Sequence, residues 1–338
     1  MARERVVVVG AGGISNVWFR VLGQEKVDIA GVVDLQIDAA REKIAKYELD
    51  CEASTDLSAT LKAIRPDIVV DLTVPEAHCA VTCTALRAGA HVIGEKPMAS
   101  SMPEARRMVR TAERTGRLYM VSQSRRWDPT HDVARKAIAR GKIGQVTTIN
   151  CDFFIGCHFG GFREEMPSPL ILDMAIHHFD LARFMTGADP VAVYAKEFNP
   201  AGSWYKGDVS ASCIFEMTDG VIFTYRGSWC AEGPETSWNG DWRIIGDKGT
   251  LMYEHDDAPS VHVPRPKIQF RRELRSLKMP ASTMKYYDMR GAMREMLAHV
   301  RTGRVPQTEC HDNIKSLAMV FAAIESSHRG RRVPVRAM

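Results

Sequence analysis

The chain lacks several features that would narrow its class immediately. Its eight cysteines among 338 residues (51, 79, 83, 151, 157, 213, 230 and 310) include no C-x-x-C pair, which removes the commonest zinc-ribbon and thiol-redox spacings. Cys79 and Cys83 stand one helical turn apart and read as packing, so reduced thiols and no metal are expected. No apolar run approaches the roughly 20 residues of a membrane span. Met1-Ala2-Arg3-Glu4-Arg5 leads into only four valines, too few for a secretory signal core. A cytoplasmic protein with no membrane partner is therefore expected. Charge of one sign is not concentrated either: Lys and Arg total 45 against 41 Asp and Glu, and the +4 balance is spread along the chain. Nothing there points to nucleic acid. There is no internal repeat and no low-complexity linker, yet 338 residues exceed what one core usually serves. Two domains are expected.

What is present begins at once. Val6-Val7-Val8-Val9 runs into Gly10-Ala11-Gly12-Gly13-Ile14-Ser15, and Asp34 closes the next apolar run, Ile29 to Val33. A β-branched strand feeding a glycine turn and a helix is the fingerprint of a dinucleotide site. Gly10 suits the tight turn, Gly12 lets a pyrophosphate approach the main chain, and the helix start offers free N–H groups. Ser15 stands where the pattern expects a third glycine; it is small enough for close helix packing. Ile14, Val17, Trp18 and Val21 follow at helical spacing. Asp34 can accept from the adenine-side ribose diol, and Leu35-Gln36 offers no cation for a 2′-phosphate, so NAD is favoured over NADP.

The first 120 residues alternate strand and helix, as an α/β Rossmann domain with a doubly wound parallel sheet should. Strands are expected at 27–34, 67–72, 91–94 and 118–121. Glu95-Lys96-Pro97 falls at the carboxyl end of one of them, where open α/β sheets bind ligands. Ser101-Met102-Pro103-Glu104 reads as a capping box opening a helix to Thr115. Beyond Gln123 the pattern changes to an α+β domain with a large, mainly antiparallel open sheet. Strands are expected near 144–156, 190–198, 209–217, 221–225, 241–246 and 249–254, with Asp219-Gly220 as a hairpin turn. The division is thus 1–123 and 124–338, with the C-terminal helix free to pack back on the first domain. The Pro-, Arg- and Lys-rich segment 256–285 reads as a loop or extended arm, followed by helices near 288–302 and 311–328.

One helix, near 170–186, interrupts the second sheet. Asp173, His177 and Asp180 are spaced to share one face, with Leu172, Ile176 and Phe179 on another. An imidazole beside a carboxylate suits proton transfer near neutral pH, and an ammonium such as Lys96 could stabilise a developing alkoxide. The same spacing also suits an ordinary Asp–His pair on a surface helix. A metal is disfavoured, because His178 projects about 100° from His177.

These motifs resemble the Gfo/Idh/MocA-type family of oxidoreductases, which includes glucose-fructose oxidoreductase and inositol 2-dehydrogenase. The resemblance covers nearly the whole chain and rests on residues 10–15, Thr73-Val74-Pro75 with His78, Glu95-Lys96-Pro97, Gln123 with Arg125-Arg126-Trp127, and the Asp173, His177, Asp180 helix. It implies Lys96, Asp173 and His177 as the catalytic set. It also implies a cofactor site of Gly10, Gly12, Gly13, Ile14, Ser15, Asp34, Thr73, Pro75, His78, Glu95, Lys96 and Gln123. Glu95 would face the cofactor ribose or order Lys96, and Arg125-Arg126 would be structural at the domain junction. The implied activity is hydride transfer between NAD and a secondary alcohol of a sugar, sugar derivative or inositol. The implied assembly is a homo-oligomer, a dimer or tetramer. Two rival readings are an NAD-retaining enzyme that cleaves glycosides through transient oxidation, and a non-catalytic NAD- or sugar-responsive regulator. The family often has glycines before and within the helix motif, where this chain has Ser168-Pro169-Leu170 and Ala175. The substrate pocket is therefore drawn from Lys96, Asp173, His177, Arg163, Trp204, Tyr205, Trp238 and Trp242, although any one of these aromatics could equally fill a core.

Overall fold

Val6–Val9 are all buried, because the strand they form, β1 (Arg5–Val9), lies in the middle of a parallel sheet and is covered on both faces. The computed structural model describes residues 3–268 and 270–338. It divides into two units. One holds the chain up to Ser124 with Tyr286–Ile314 and Met338; the other holds Arg125–Lys285 with Lys315–Ala337.

In the first unit β1 is followed by α1 (Ser15–Glu25), β2 (Asp28–Val33), α2 (Ile37–Lys46), β3 (Glu52–Ser54), α3 (Leu57–Ile64), β4 (Ile68–Asp71), α4 (Pro75–Arg87), β5 (His91–Gly94), α5 (Met102–Thr115) and β6 (Tyr119–Val121). The six strands are parallel, in the order β3-β2-β1-β4-β5-β6. The order reverses direction between β1 and β4, the switch point at which doubly wound sheets open a crevice. α5 starts at Ser101, but not as the expected capping box. The Ser101 hydroxyl donates to Glu104 Oε2 at 3.0 Å and that of Ser100 to the same oxygen at 2.5 Å. Two hydroxyls thus converge on the acid, and the Ser101 side chain does not cap the backbone.

The second unit begins with α6 (Pro129–Ala139), capped by Asp128, then β7 (Val146–Phe154) and a four-residue helix α7 (Phe162–Glu165). A π-helical turn, Leu170–Ala175, runs into α8 (Ile176–Thr186). Strands β8 (Pro190–Phe198), β9 (Ser210–Met217), β10 (Ile222–Ser228), β11 (Asp241–Gly246) and β12 (Gly249–Tyr253) follow. Asp219 and Gly220 adopt φ of 58° and 73°, the left-handed pair of a tight hairpin between β9 and β10. The segment expected as an arm contains a hairpin, β13 (Ser260–Pro264) and β14 (Leu274–Leu277), at one edge of the sheet. Its Pro, Arg and Lys are what an edge strand tolerates, and they mask the alternation that marks an inner strand. Helices α9 (Asp288–Thr302) and α10 (Cys310–Arg329) and the short β15 (Val333–Pro334) end the chain.

The sheet of the second unit has nine strands, in the order β14-β13-β12-β11-β7-β10-β9-β8-β15, and all pairings but β7 with β10 are antiparallel. One face buries Phe153, Phe215, Phe223, Tyr225 and Trp242 against α8, where Phe179 meets Phe215 edge-on at 4.8 Å. The opposite face carries exposed Val191, Tyr194, Phe198, Ile214 and Ile222. Ile214, the one apolar residue out of step in β9, lies opposite Tyr194 on that face. Among the described residues no helix is long and apolar enough to cross a membrane.

Candidate functional site

The turn after β1 is shaped by Gly10. Its φ is 99°, its N–H donates to Val33 O at 2.8 Å, and a Cβ built there would lie 2.7 Å from Leu72 O. No side chain fits. Around Gly12 and Gly13, by contrast, a built Cβ meets nothing within 4 Å, so the main chain at the start of α1 is open to an approaching anion. Ile14, beside them, is the half-exposed N-cap. Ser15 is fully buried and its hydroxyl donates to Gly12 O at 2.7 Å, so the residue in place of the third glycine closes the turn itself. Asp34 accepts from Ala11 N–H at 2.7 Å through Oδ2 and from Gln36 N–H at 2.8 Å through Oδ1. Each oxygen keeps a lone pair for a diol. Open glycines, a helix start and a fixed acid together fit a dinucleotide.

The ends of β4 and β5 carry the next group. Asp71 is fully buried and accepts from Thr73 Oγ1 at 2.6 Å and Thr82 Oγ1 at 3.0 Å, while His78 Nδ1 lies 3.0 Å from its Oδ1. Thr73 and Pro75 are half-buried, whereas His78 and Gln123 are enclosed. Gln123 accepts from Asn313 at 3.4 Å. Glu95 accepts from the Trp18 indole at 2.7 Å and from the N–H of Lys96 at 3.2 Å. Burial pushes its carboxyl up, opposed by the Trp18 bond and the Lys96 charge. The acid thus ties α1 to the loop that presents Lys96, a half-buried residue that begins a cis Lys96–Pro97 bond.

The helix of the second unit differs from its sequence reading. Asp173 lies in the π turn and His177 in α8, so the 3.6-residue period assumed across them does not hold. Nor do the three polar residues share one open face. Asp180 is fully buried, gripped by Arg126 through Nε at 2.7 Å and Nη2 at 2.6 Å, and accepting from Ser316 Oγ at 2.7 Å. Asp173 is instead held by Arg163 Nε at 2.6 Å. Residues 176–183 are buried without exception, which removes the surface-helix reading. His177 is 8% exposed. His178 packs against Phe153 at 4.9 Å and Tyr225 at 5.5 Å, and burial depresses its pKa; it is a core histidine.

Of the pocket candidates, Tyr205 and Trp242 are buried core residues. Arg163 stacks on Phe159 at 5.1 Å and Phe162 at 4.8 Å, and Phe159 lies 6.3 Å from half-exposed Trp238. Arg163, Asp173 and Trp238 are therefore gathered around one ring. Trp204 stands one residue along, stacked on His158 at 3.7 Å with its indole donating to Cys157 O at 2.9 Å. Sequence reasoning missed Phe159 and Phe162. Their signal was the pair Gly160-Gly161 between them, both at φ 66°. It also missed the reach of Arg125, which donates to Trp238 O and approaches Met174 Sδ at 3.8 Å. Burial lowers its pKa to about 10.

Comparison with known proteins agrees with this geometry. A family model for the NAD-binding Rossmann fold of an oxidoreductase family matches residues 4–123, and one for the GFO/IDH/MocA C-terminal domain matches residues 131–252. Inositol 2-dehydrogenase of Rhizobium meliloti is 27% identical, covering 98% of this chain and 99% of that protein. D-apiose dehydrogenase of Paraburkholderia graminis is 26% identical, covering 99% and 91%. An oxidoreductase from Agrobacterium radiobacter, solved with NAD+, L-tartaric acid and magnesium, superimposes with a TM-score of 0.86 at 21% identity and 99% coverage of both chains. The chain belongs to the GFO/IDH/MocA oxidoreductase family, and its first domain is an NAD-binding Rossmann domain.

Proposed function

We propose that the protein is an NAD-dependent dehydrogenase acting on a secondary alcohol of a cyclic polyol, monosaccharide or sugar derivative. The observation that carries this reading is the presence of Lys96, Asp173 and His177 in a chain whose glycine turn is open for a dinucleotide. Bound NAD supplies the hydride acceptor at the carbinol carbon. The Lys96 ammonium donates to the carbinol oxygen and stabilises negative charge as it develops. His177 takes the hydroxyl proton, a role suited to an imidazole near neutral pH. Asp173, already oriented by Arg163, accepts from a neighbouring substrate hydroxyl, and Trp238 and Trp204 offer aromatic faces to a sugar ring. NAD is preferred to NADP because Asp34 would repel a 2′-phosphate, and the exposed Leu35 and Gln36 beside it carry no compensating charge. Two relatives are named D-apiose dehydrogenase and inositol 2-dehydrogenase. For this chain the substrate class is what those names and these residues support together.

Replacing Lys96 or His177 with Ala should lower kcat by about 10²-fold or more while NADH binding, followed by fluorescence, persists. Unchanged turnover in both variants contradicts the assignment. Cleavage of a glycoside without NADH accumulation would favour the NAD-retaining alternative.

The exposed apolar face of β8, β9 and β10 supports a homo-oligomer, because five large side chains in one patch are a liability on a lone subunit. A light-scattering mass of one 37.7 kDa chain would contradict it.

A further inference from the structure

The loop between α9 and α10 returns to the β6 edge of the parallel sheet. Val121 N–H donates to Thr308 O at 3.1 Å, and Met120 forms an isolated antiparallel bridge with Glu309. At the start of α10 three consecutive side chains then converge. One ligand atom from each of Glu309, Cys310 and His311 lies within 4.8 Å of the others. Glu309 Oε1 is 3.0 Å from Cys310 Sγ and 2.5 Å from His311 Nδ1, and Sγ lies 3.8 Å from Nδ1. The other ring nitrogen, Nε2, is 2.9 Å from Oε1 of Glu113 in the last turn of α5.

The donor set has a chemical meaning. One sulfur, one imidazole nitrogen and one carboxylate oxygen suit a borderline cation such as Zn²⁺ better than Mg²⁺ or Ca²⁺, which prefer oxygen alone. A ligating histidine typically donates its remote N–H to a carboxylate, which leaves the near nitrogen's lone pair facing the ion. Glu113 stands in that position. With bonds of about 2.0–2.3 Å, the edges of a tetrahedral site run roughly 3.3–3.6 Å. The sulfur-to-nitrogen distance is already close to this, and a carboxylate rotation of less than about 1 Å would bring Glu309 into line. Access is also graded: Cys310 is fully buried, whereas the His311 side chain is 49% exposed and that of Glu309 20%. Burial and the Glu309 charge push the Cys310 thiol well up, so the ion must displace a proton from the sulfur. Its rival is an imidazolium held between two carboxylates, with the Nδ1 proton in the ion's place; Glu113 and Glu309 do raise the His311 pKa.

We propose that Glu309, Cys310 and His311 bind a divalent transition-metal ion, Zn²⁺ by donor chemistry, with Glu113 orienting the imidazole and water in the fourth position. Binding releases the thiol proton and any proton on Nδ1 to solvent. The ion would fix the side chains of the first turn of α10 and, through the His311–Glu113 pair, hold that turn beside α5, a structural duty separate from hydride transfer.

The test uses the full chain, stripped with a chelator and titrated with Co²⁺. One equivalent should produce a near-ultraviolet thiolate-to-cobalt band with intense visible bands, all bleached by Zn²⁺. Cys310→Ser should abolish the charge-transfer band. His311→Gln, which leaves the buried sulfur in place, should weaken binding at a retained thiolate band, and Glu113→Gln should weaken it by about 10–100-fold. Absence of the band in the unaltered protein overturns the proposal, as does a band that survives Cys310→Ser or binding that is unchanged in His311→Gln.

Discussion

The glycine turn after β1 and the helix carrying His177 hold their polar groups by opposite means. In the turn, partners are close in sequence: Ser15 bonds Gly12, Asp34 bonds Gln36, and the longest reach is from Asp34 to Ala11. In the helix, Asp180 is held by Arg126, 54 positions earlier, and by Ser316, 136 positions later. The turn is a local device left open on one side. The helix is a buried element whose Asp180 takes its bidentate partner from a distant part of the second unit, with Arg183 of the same helix 3.8 Å away. Such groups cost little while paired, but leaving one behind alone in the core is expensive.

That contrast can be broken experimentally. The largest effect should come from Arg126→Ala, which strands Asp180 at 1% side-chain exposure. A loss of about 3–5 kcal/mol is expected, read as the denaturant midpoint; a loss under about 1 kcal/mol would show that Ser316 and Arg183, whose Nη1 lies 3.8 Å from Asp180 Oδ1, suffice. Gly10→Ala should act more moderately on stability, costing about 1–3 kcal/mol for a strained backbone, with a concurrent loss of NADH affinity. Should NADH bind that variant unchanged, the turn does not shape the cofactor site as described.

The same contrast explains what could be read from the residues. Gly10, Gly12, Asp34 and the strand pattern were legible because β strands and tight turns encode themselves over a few positions. The span of β9 was legible too, whereas Ile214 on its exposed side interrupts the apolar–polar alternation. The π turn was not, since an extra residue per turn leaves no compositional trace, and without it Asp173, His177 and Asp180 seemed to share a face. Burial of Asp180 depends on Ser316, which no local spacing reveals. The hairpin in 256–285 was hidden by the charges and prolines of an edge. Tyr205 and Trp242 looked no different from Trp238; Trp242 is enclosed by its place in β11, whereas Tyr205 and Trp238 lie in loops, where no alternation tells the buried ring from the half-exposed one. Glu309, Cys310 and His311 were adjacent in plain view, but their convergence depends on the turn that begins α10.

The central claim, NAD-dependent oxidation of a sugar or polyol hydroxyl, is tested most directly by following nicotinamide absorbance across a panel of sugars, sugar derivatives and inositols with NAD and with NADP. Steady formation of reduced nicotinamide is expected with at least one of them, faster with NAD than with NADP. No net reduction with any compound, from a protein that still binds NADH, would contradict it.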